Sequence, residues 1–215
     1  MSTTRVQLID KNTTVGTAAA EDTKIVFDGN AQDYHIGLDD SDDSLTIGLG
    51  SALGTTSYMN INADGSITKP LQPAFLVKPS STQENFNQGQ VITIDFGTEV
   101  FDNNGDFASN TFTAPVTGRY ALQFAIQIND ISNQDSSTYY YIEMNTSNRQ
   151  YYNLSSIDQA VGSSSGQYYF TLSASCLADM DANDTVTCRV VHGGTSGTGP
   201  SDISNNSHFS GFLVC

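Results

Sequence analysis

FTAPVTGRY, residues 112–120, runs straight into the segment RYALQFAIQIN (119–129), where apolar and polar residues alternate without a break. Alternation with period two marks a strand with one buried face. It places Tyr120, Leu122, Phe124, Ile126 and Ile128 on the inner face, with Ala121, Gln123, Ala125 and Gln127 opposite. The residues before it describe a corner. Thr113-Ala114-Pro115 closes the preceding strand, proline presets φ at the bend, and Gly118 is expected to supply a positive φ. Phe112 precedes the corner and Tyr120 follows it, so both rings are expected in one core.

The same period extends on either side. VITIDF (91–96) aligns Ile92, Ile94 and Phe96. QYYFTLSASC (167–176) aligns Tyr168, Phe170, Leu172, Ala174 and Cys176, and TVTCRVVHGG (185–194) aligns Val186, Cys188, Val190 and His192. FSGFLVC (209–215) reads as a final strand. Alternating runs with polar turns between them indicate an all-β sandwich or barrel. In TYYYIEMN (138–145) aromatic residues occupy successive positions, so the run is aromatic on both faces. Burial on both sides suits a contact between subunits, and Tyr139, Tyr140 and Tyr141 are the expected interface residues.

Composition narrows the function. Lys and Arg number 8 against 23 Asp and Glu, a formal charge of −15. That leaves little basic material for a phosphate-binding face, so neither nucleic acid nor an anionic membrane surface is an expected partner. No apolar run reaches spanning length, so no membrane insertion is expected. MSTTRVQLID has no basic segment followed by an apolar core, and the expectation is synthesis in a cytoplasm. Cys176 and Cys188 each lie in an alternating apolar run, which favours buried thiols over a disulfide between them.

Residues 1–70 have a different texture. Short apolar bursts, KIVFDG (24–29), YHIGLDD (34–40), LTIGLGS (45–51) and YMNINADGSIT (58–68), are split by Gly and Asp. The likeness of HIGLDD to TIGLGS and the turns at Asp28-Gly29 and Asp64-Gly65 suggest a series of small hairpins. So little apolar surface per strand leaves a lone meander marginal, which favours wrapping against other copies over a monomeric sheet. KPLQPAFLVKP (69–79) holds three of the five prolines and reads as a semi-rigid junction. The expected domains are therefore 1–70, a β-rich shaft or docking module, and 71–215, an all-β head.

The head resembles a known family. AFLVKP (74–79), VITIDFGTEVFDNNGDF (91–107), FTAPVTGRYALQF (112–124), LADMDANDTVTCRV (177–190) and FSGFLV (209–214) occur in the order of features found in complement component one q (C-one-q) heads, within the tumour necrosis factor-like jelly rolls. The aromatic-Thr-x-Pro-x-x-Gly-x-Tyr corner is the most specific of these. The resemblance implies a ten-stranded jelly-roll β-sandwich, assembly as a homotrimer, ligand binding by outer loops, and no enzymatic activity. Residues 1–70, through KIVFDGN…IGLDD…IGLGS, are similar to β-rich shaft modules of bacteriophage tail fibres. Together the two resemblances imply a virion protein: a fibre-tip or receptor-binding appendage held to other virion proteins through residues 1–70 and contacting a host cell-surface glycan or protein. A capsid decoration protein with no receptor role is the alternative.

Candidate sites follow from residue chemistry. NRQYYN (148–153) offers Asn148, Arg149, Tyr151, Tyr152 and Asn153, and tyrosine faces stack on sugar rings while amides bond hydroxyls; a trimer contact or an ordinary strand accounts for the same run at least as well. SSSGQYY (163–169) is a second candidate loop. Acidic turns at DDSDD (39–43), DNNGD (102–106) and DMDAND (179–184) are candidate calcium ligands, although a solvated or tight turn is the favoured reading of each. No cofactor is otherwise expected. His35, His192 and His208 lack ligand spacing, and GTSGTGP (194–200) lacks the Lys-Ser/Thr of a phosphate loop.

Overall fold

The computed structural model describes residues 14–131, 138–157, 169–194 and 200–215, and among these it contains strands and turns without a helix. Two compact units divide at Leu71/Gln72, inside the proline-rich stretch.

The first unit is a five-stranded antiparallel meander: β1 (Thr23–Phe27), β2 (Tyr34–Asp39), β3 (Ser44–Leu49), β4 (Ser57–Ile61) and β5 (Ile67–Thr68), in sequence order. Asn62-Ala-Asp64-Gly65 makes the tight β4–β5 turn. Gly65 takes φ +85° there, and the Asp64 carboxylate accepts the Ser66 amide at 2.9 Å. Asp28-Gly29 differs from expectation. It opens a longer loop, in which the Gly29 amide donates to Asp33 Oδ1 at 3.1 Å.

The sides of this sheet are unusual. His35, Gly37 and Asp39 on β2, with Ser44, Thr46 and Gly48 on β3, face inward. The segment after β3 crosses that side: Gly50 bonds the Asp33 carbonyl, the Leu49 amide bonds the Thr56 carbonyl, and the His35 ring meets the Gly50 carbonyl at 3.0 Å. A Cβ on Gly48 would lie 2.3 Å from the Thr56 carbonyl, so only glycine admits the crossing. The other side carries aligned apolar rows. Ile25 pairs Ile36, Ile36 pairs Ile47, and Ile47 pairs Met59; a second row joins Leu38, Leu45, Ile61 and Ile67. These side chains are open or half open to solvent.

The second unit is a sandwich. One sheet orders β10 (Phe107–Ala108), β11 (Thr111–Thr113), β16 (Thr185–Gly193), β13 (Thr138–Thr146) and β14 (Gln150–Ile157), with β8 (Val91–Thr93) also on β16. The other orders β7 (Gln83–Phe86), β17 (Ser201–Ile203), β12 (Gly118–Asn129), β18 (His208–Leu213), β6 (Ala74–Lys78) and β9 (Thr98–Asp102), with β15 (Phe170–Met180) on the opposite edge of β12. β17 and β18 lie in line along one edge of β12. Such breaks give more segments than the ten strands expected.

Every inward residue named for β12 is buried, as are Phe75, Val77, Ile94, Phe96, Val186, Cys188 and Val190. Phe75 stacks on Phe112 at 4.6 Å and meets Phe209 edge-on at 5.0 Å; Phe96 meets Phe124 edge-on at 6.2 Å. Such pairs add about 0.5–1.5 kcal/mol each beyond area burial. At the corner, Tyr120 is fully buried, meets Phe112 edge-on at 5.5 Å and donates its hydroxyl proton to the Val116 carbonyl at 2.7 Å. The ring thus fills the core while its polar tip fastens the bend. Gly118 corrects one expectation. Its φ is not positive; glycine is needed because a Cβ would lie 2.6 Å from Leu213 and 2.7 Å from the Cys215 carbonyl.

Candidate binding surfaces

TYYYIEMN keeps strict alternation. Tyr140, Ile142 and Met144 point into the sandwich. Tyr140 shares a 2.6 Å hydrogen bond with Ser201 and stacks on His192 at 4.3 Å, which joins the two sheets. Its place inside the core removes it from the expected subunit contact. Tyr139 and Tyr141 point outward and stack on each other at 6.3 Å. Tyr141 also meets Tyr152 edge-on at 6.4 Å. Gly193 makes room for the Tyr139 ring, since a Cβ there would come within 2.0 Å of it. Glu143, on the same outward side, is buried beneath an ion pair to Arg189 at 3.3 Å. Desolvation, and then the charge of Glu143, hold the Tyr141 phenol above its ordinary pKa.

The run NRQYYN separates into two parts. Asn148 and Arg149 tie the β13–β14 turn to the end of β15. Arg149 pairs with Asp179 at 2.7 Å, and Asn148 Nδ2 donates to Asp184 at 2.7 Å and to the Asp179 carbonyl at 3.3 Å. Asn153 likewise donates to the Ser173 carbonyl at 2.7 Å, closing the edge between the sheets. Tyr152 instead stands out at 69% exposure. It borders a depression of about 330 Å³ with Tyr151, Asn153 and Ser173–Ser175. Of the five residues singled out in this run, the structure gathers Tyr151, Tyr152 and Asn153 around one hollow and employs Asn148 and Arg149 as edge ties. Residues 163–168 of the second candidate loop, and 195–199 of the Gly-rich loop, lie outside the described residues.

The acidic turns are occupied by their own backbone. Asp102 accepts the amides of Asp106 and Phe107 at 3.1 and 2.8 Å. Asp184 accepts the Asp181 amide at 2.8 Å, Asp39 the Ser41 amide at 3.1 Å, and Asp42 the Ser44 amide at 3.1 Å. Among the described residues, no three His, Cys, Asp or Glu side chains come together as a metal group. Cys176, Cys188 and Cys215 are free thiols. Burial raises the Cys176 thiol to about 11 and pushes Cys188 well above the ordinary range.

Sequence reasoning passed over a broad surface groove. The outer side of the sheet formed by β15, β12, β18, β6 and β9 carries an apolar patch set among polar residues such as Gln123, Ser175 and Ser210. Leu177 and Phe212 are 58% and 53% exposed, with Val100 and Phe101 similarly open. With Leu76, Ala121 and Cys176 they line a shallow groove of about 1140 Å³. The signal was present in the outward parity of FSGFLV and SASCLADM, where an aromatic and a leucine stand in place of polar residues. Large open apolar patches mark interaction surfaces.

Residues 74–214 match the model of the C1q domain. Among curated proteins, none matches the chain. Solved structures that align with it include the globular domain of zebrafish complement 1qA protein, at 18% identity over 67% of this chain and 98% of that one, with a TM-score of 0.44. Murine APRIL aligns at 11% identity over 67% of this chain and 99% of that one, with a TM-score of 0.45. The family model spans most of the chain and contains the Tyr120 corner, the paired β6 and β18, and the open apolar sheet: the chain belongs to the C1q family.

Proposed function

We propose that this protein is a virion appendage whose C1q unit assembles as a homotrimer and binds a host-surface glycan or protein, without catalysing a reaction. The observation that carries the trimer is the open apolar patch, Val100, Phe101, Leu177 and Phe212, on the outer side of the β15–β12–β18–β6–β9 sheet. Copies of a chain with net negative charge meet with least repulsion where no carboxylate lines the contact, as in this groove, and burying half-exposed Leu177 and Phe212 releases ~25 cal/mol per Å² of apolar area. The ligand surface of the reading is the outward tyrosine strip, Tyr139, Tyr141 and Tyr152, with its adjoining hollow. Its aromatic faces suit sugar rings, and weak single sites gain from trivalency. The virion assignment rests on the likeness of residues 1–70 to phage shaft modules, which would join the protein to other virion components.

Leu177→Asp combined with Phe212→Asp tests the trimer, because both side chains are more than half open in a single chain. Sedimentation should show three associated chains for the native protein and one for the double variant. A native protein that sediments as a single folded chain overturns the trimer. Tyr152→Ala should weaken adsorption to susceptible cells while leaving sedimentation unchanged. A tagged copy imaged on particles then locates the protein: a position on the capsid lattice, with no effect on adsorption, would make it a decoration protein.

A further inference from the structure

The N-terminal sheet is turned inside out. Its covered side is made of His35, Asp39, Ser44 and Thr46, while Ile25, Leu38 and Ile67 on the other side are 49%, 52% and 59% exposed. No Asp, Glu, Lys or Arg stands in the apolar rows that run across β1 to β5. Among the described residues, then, the meander keeps its polar residues inside and its isoleucines outside, the arrangement of a sheet whose apolar side is an interaction surface.

We propose that this open face packs against the same face of two further copies of the chain, so that residues 23–68 form a second oligomerisation module, independent of the C1q unit in its contacts. The inference rests on the homotrimer proposed above. Three chains joined through their C1q units hold three N-terminal faces within a tether's reach of one another, which raises their effective concentration far above that of any free partner. The chemistry suits such an occupant. The rows are uncharged and repeat one residue type across adjacent strands, Ile25–Ile36–Ile47, so a copy of the face offers the same flat aliphatic surface. The acidic residues among the described part of the unit lie outside these rows: Glu21 and Asp22 before β1, Asp28 and Asp33 in the β1–β2 loop, Asp39 on the polar side, and Asp40, Asp42, Asp43 and Asp64 in turns. Like-charged chains can therefore meet here without bringing carboxylates together.

The test uses the full chain carrying Leu38→Cys, with Asn30→Cys in the exposed β1–β2 loop as the reference. A polar maleimide is applied at native conditions, and its sites are read by peptide mapping so that Cys176 and Cys215 report separately. In the trimer, the thiol at position 38 should react at least tenfold more slowly than the one at position 30, and mild oxidation or a short cross-linker should join copies through it. Ile25→Cys repeats the measurement at a second open position, should the first variant fail to fold. A trimer in which both positions react at the reference rate overturns this inference and leaves the C1q trimer standing. A native chain that sediments as a monomer overturns the earlier reading instead. Protection that persists after dilution to single chains means that the chain covers its own face, and that also overturns the proposal.

Discussion

The two units use the same alternating strand and pack it in opposite senses. In the C1q unit, Tyr120, Leu122 and Phe124 turn inward and form part of one aromatic and aliphatic core. In the N-terminal sheet the inward positions are His35, Asp39, Ser44 and Thr46, and the aliphatic rows look out. Periodicity tells which side chains share a face. It does not tell which face meets the rest of the chain, because that depends on what the chain has available to cover it. The sandwich supplies a second sheet. Among the described residues, the small meander covers its polar side with the segment after β3, whose backbone carbonyls suit that side.

The largest expected contrast comes from truncating one side chain in each unit. Phe209→Ala, in the aromatic cluster with Phe75 and Phe124, should destabilise the C1q unit by about 3–5 kcal/mol in denaturant unfolding. Ile25→Ala should change the N-terminal unit by no more than about 0.5 kcal/mol in separated chains and by clearly more in the trimer. Equal effects in both states would break the contrast drawn between the units. Next in size, Gly211→Ala should cost about 1–3 kcal/mol through overpacking, since its Cβ would lie 2.7 Å from Leu122 and 2.9 Å from Phe75. Tyr120→Phe should cost about 1 kcal/mol, with an unchanged denaturant slope, because it removes the hydroxyl bond to Val116 and keeps the ring.

The smallest effect is electrostatic. Desolvation raises the pKa of Asp106 above its ordinary 3.8. Below that value the carboxyl is protonated in both folded and unfolded chains. As pH rises through the raised folded value, ionisation is penalised only in the folded chain, and stability falls. Asp106→Asn should therefore be more stable than the native chain at neutral pH, with the gain vanishing as pH drops below 3.8. A gain of the same size at both ends would locate its cause elsewhere.

Much of the C1q unit could be read before its structure. The parity of 91–96, 119–129 and 185–194 names the core residue by residue, because one face of each strand is buried against a second sheet. FTAPVTGRY names its own corner, although glycine serves there for close approach and not for its dihedral. Two things were hidden. Three successive tyrosines mask alternation, since an aromatic residue suits both a core and an outer face; its full burial, its hydrogen bond to Ser201 and its stacking on His192 separate Tyr140 from its neighbours. In NRQYYN, amides and a guanidinium are equally fit to bind a ligand or to tie sheet edges. Asp179, Asp184 and the Ser173 carbonyl decide the matter, and they lie 20 or more positions away in the chain.

Ala74 and Phe212 stand opposite each other in the β6–β18 ladder. The route through the sandwich is therefore nearly a closed circuit: its first and last strands are neighbours, stitched by the Gln72 side chain to the Leu213 carbonyl. A short bridge from residue 215 back to residue 74, with a new opening cut in a surface turn such as 103–105, would preserve every ladder and relocate the point at which cargo or an anchor is attached.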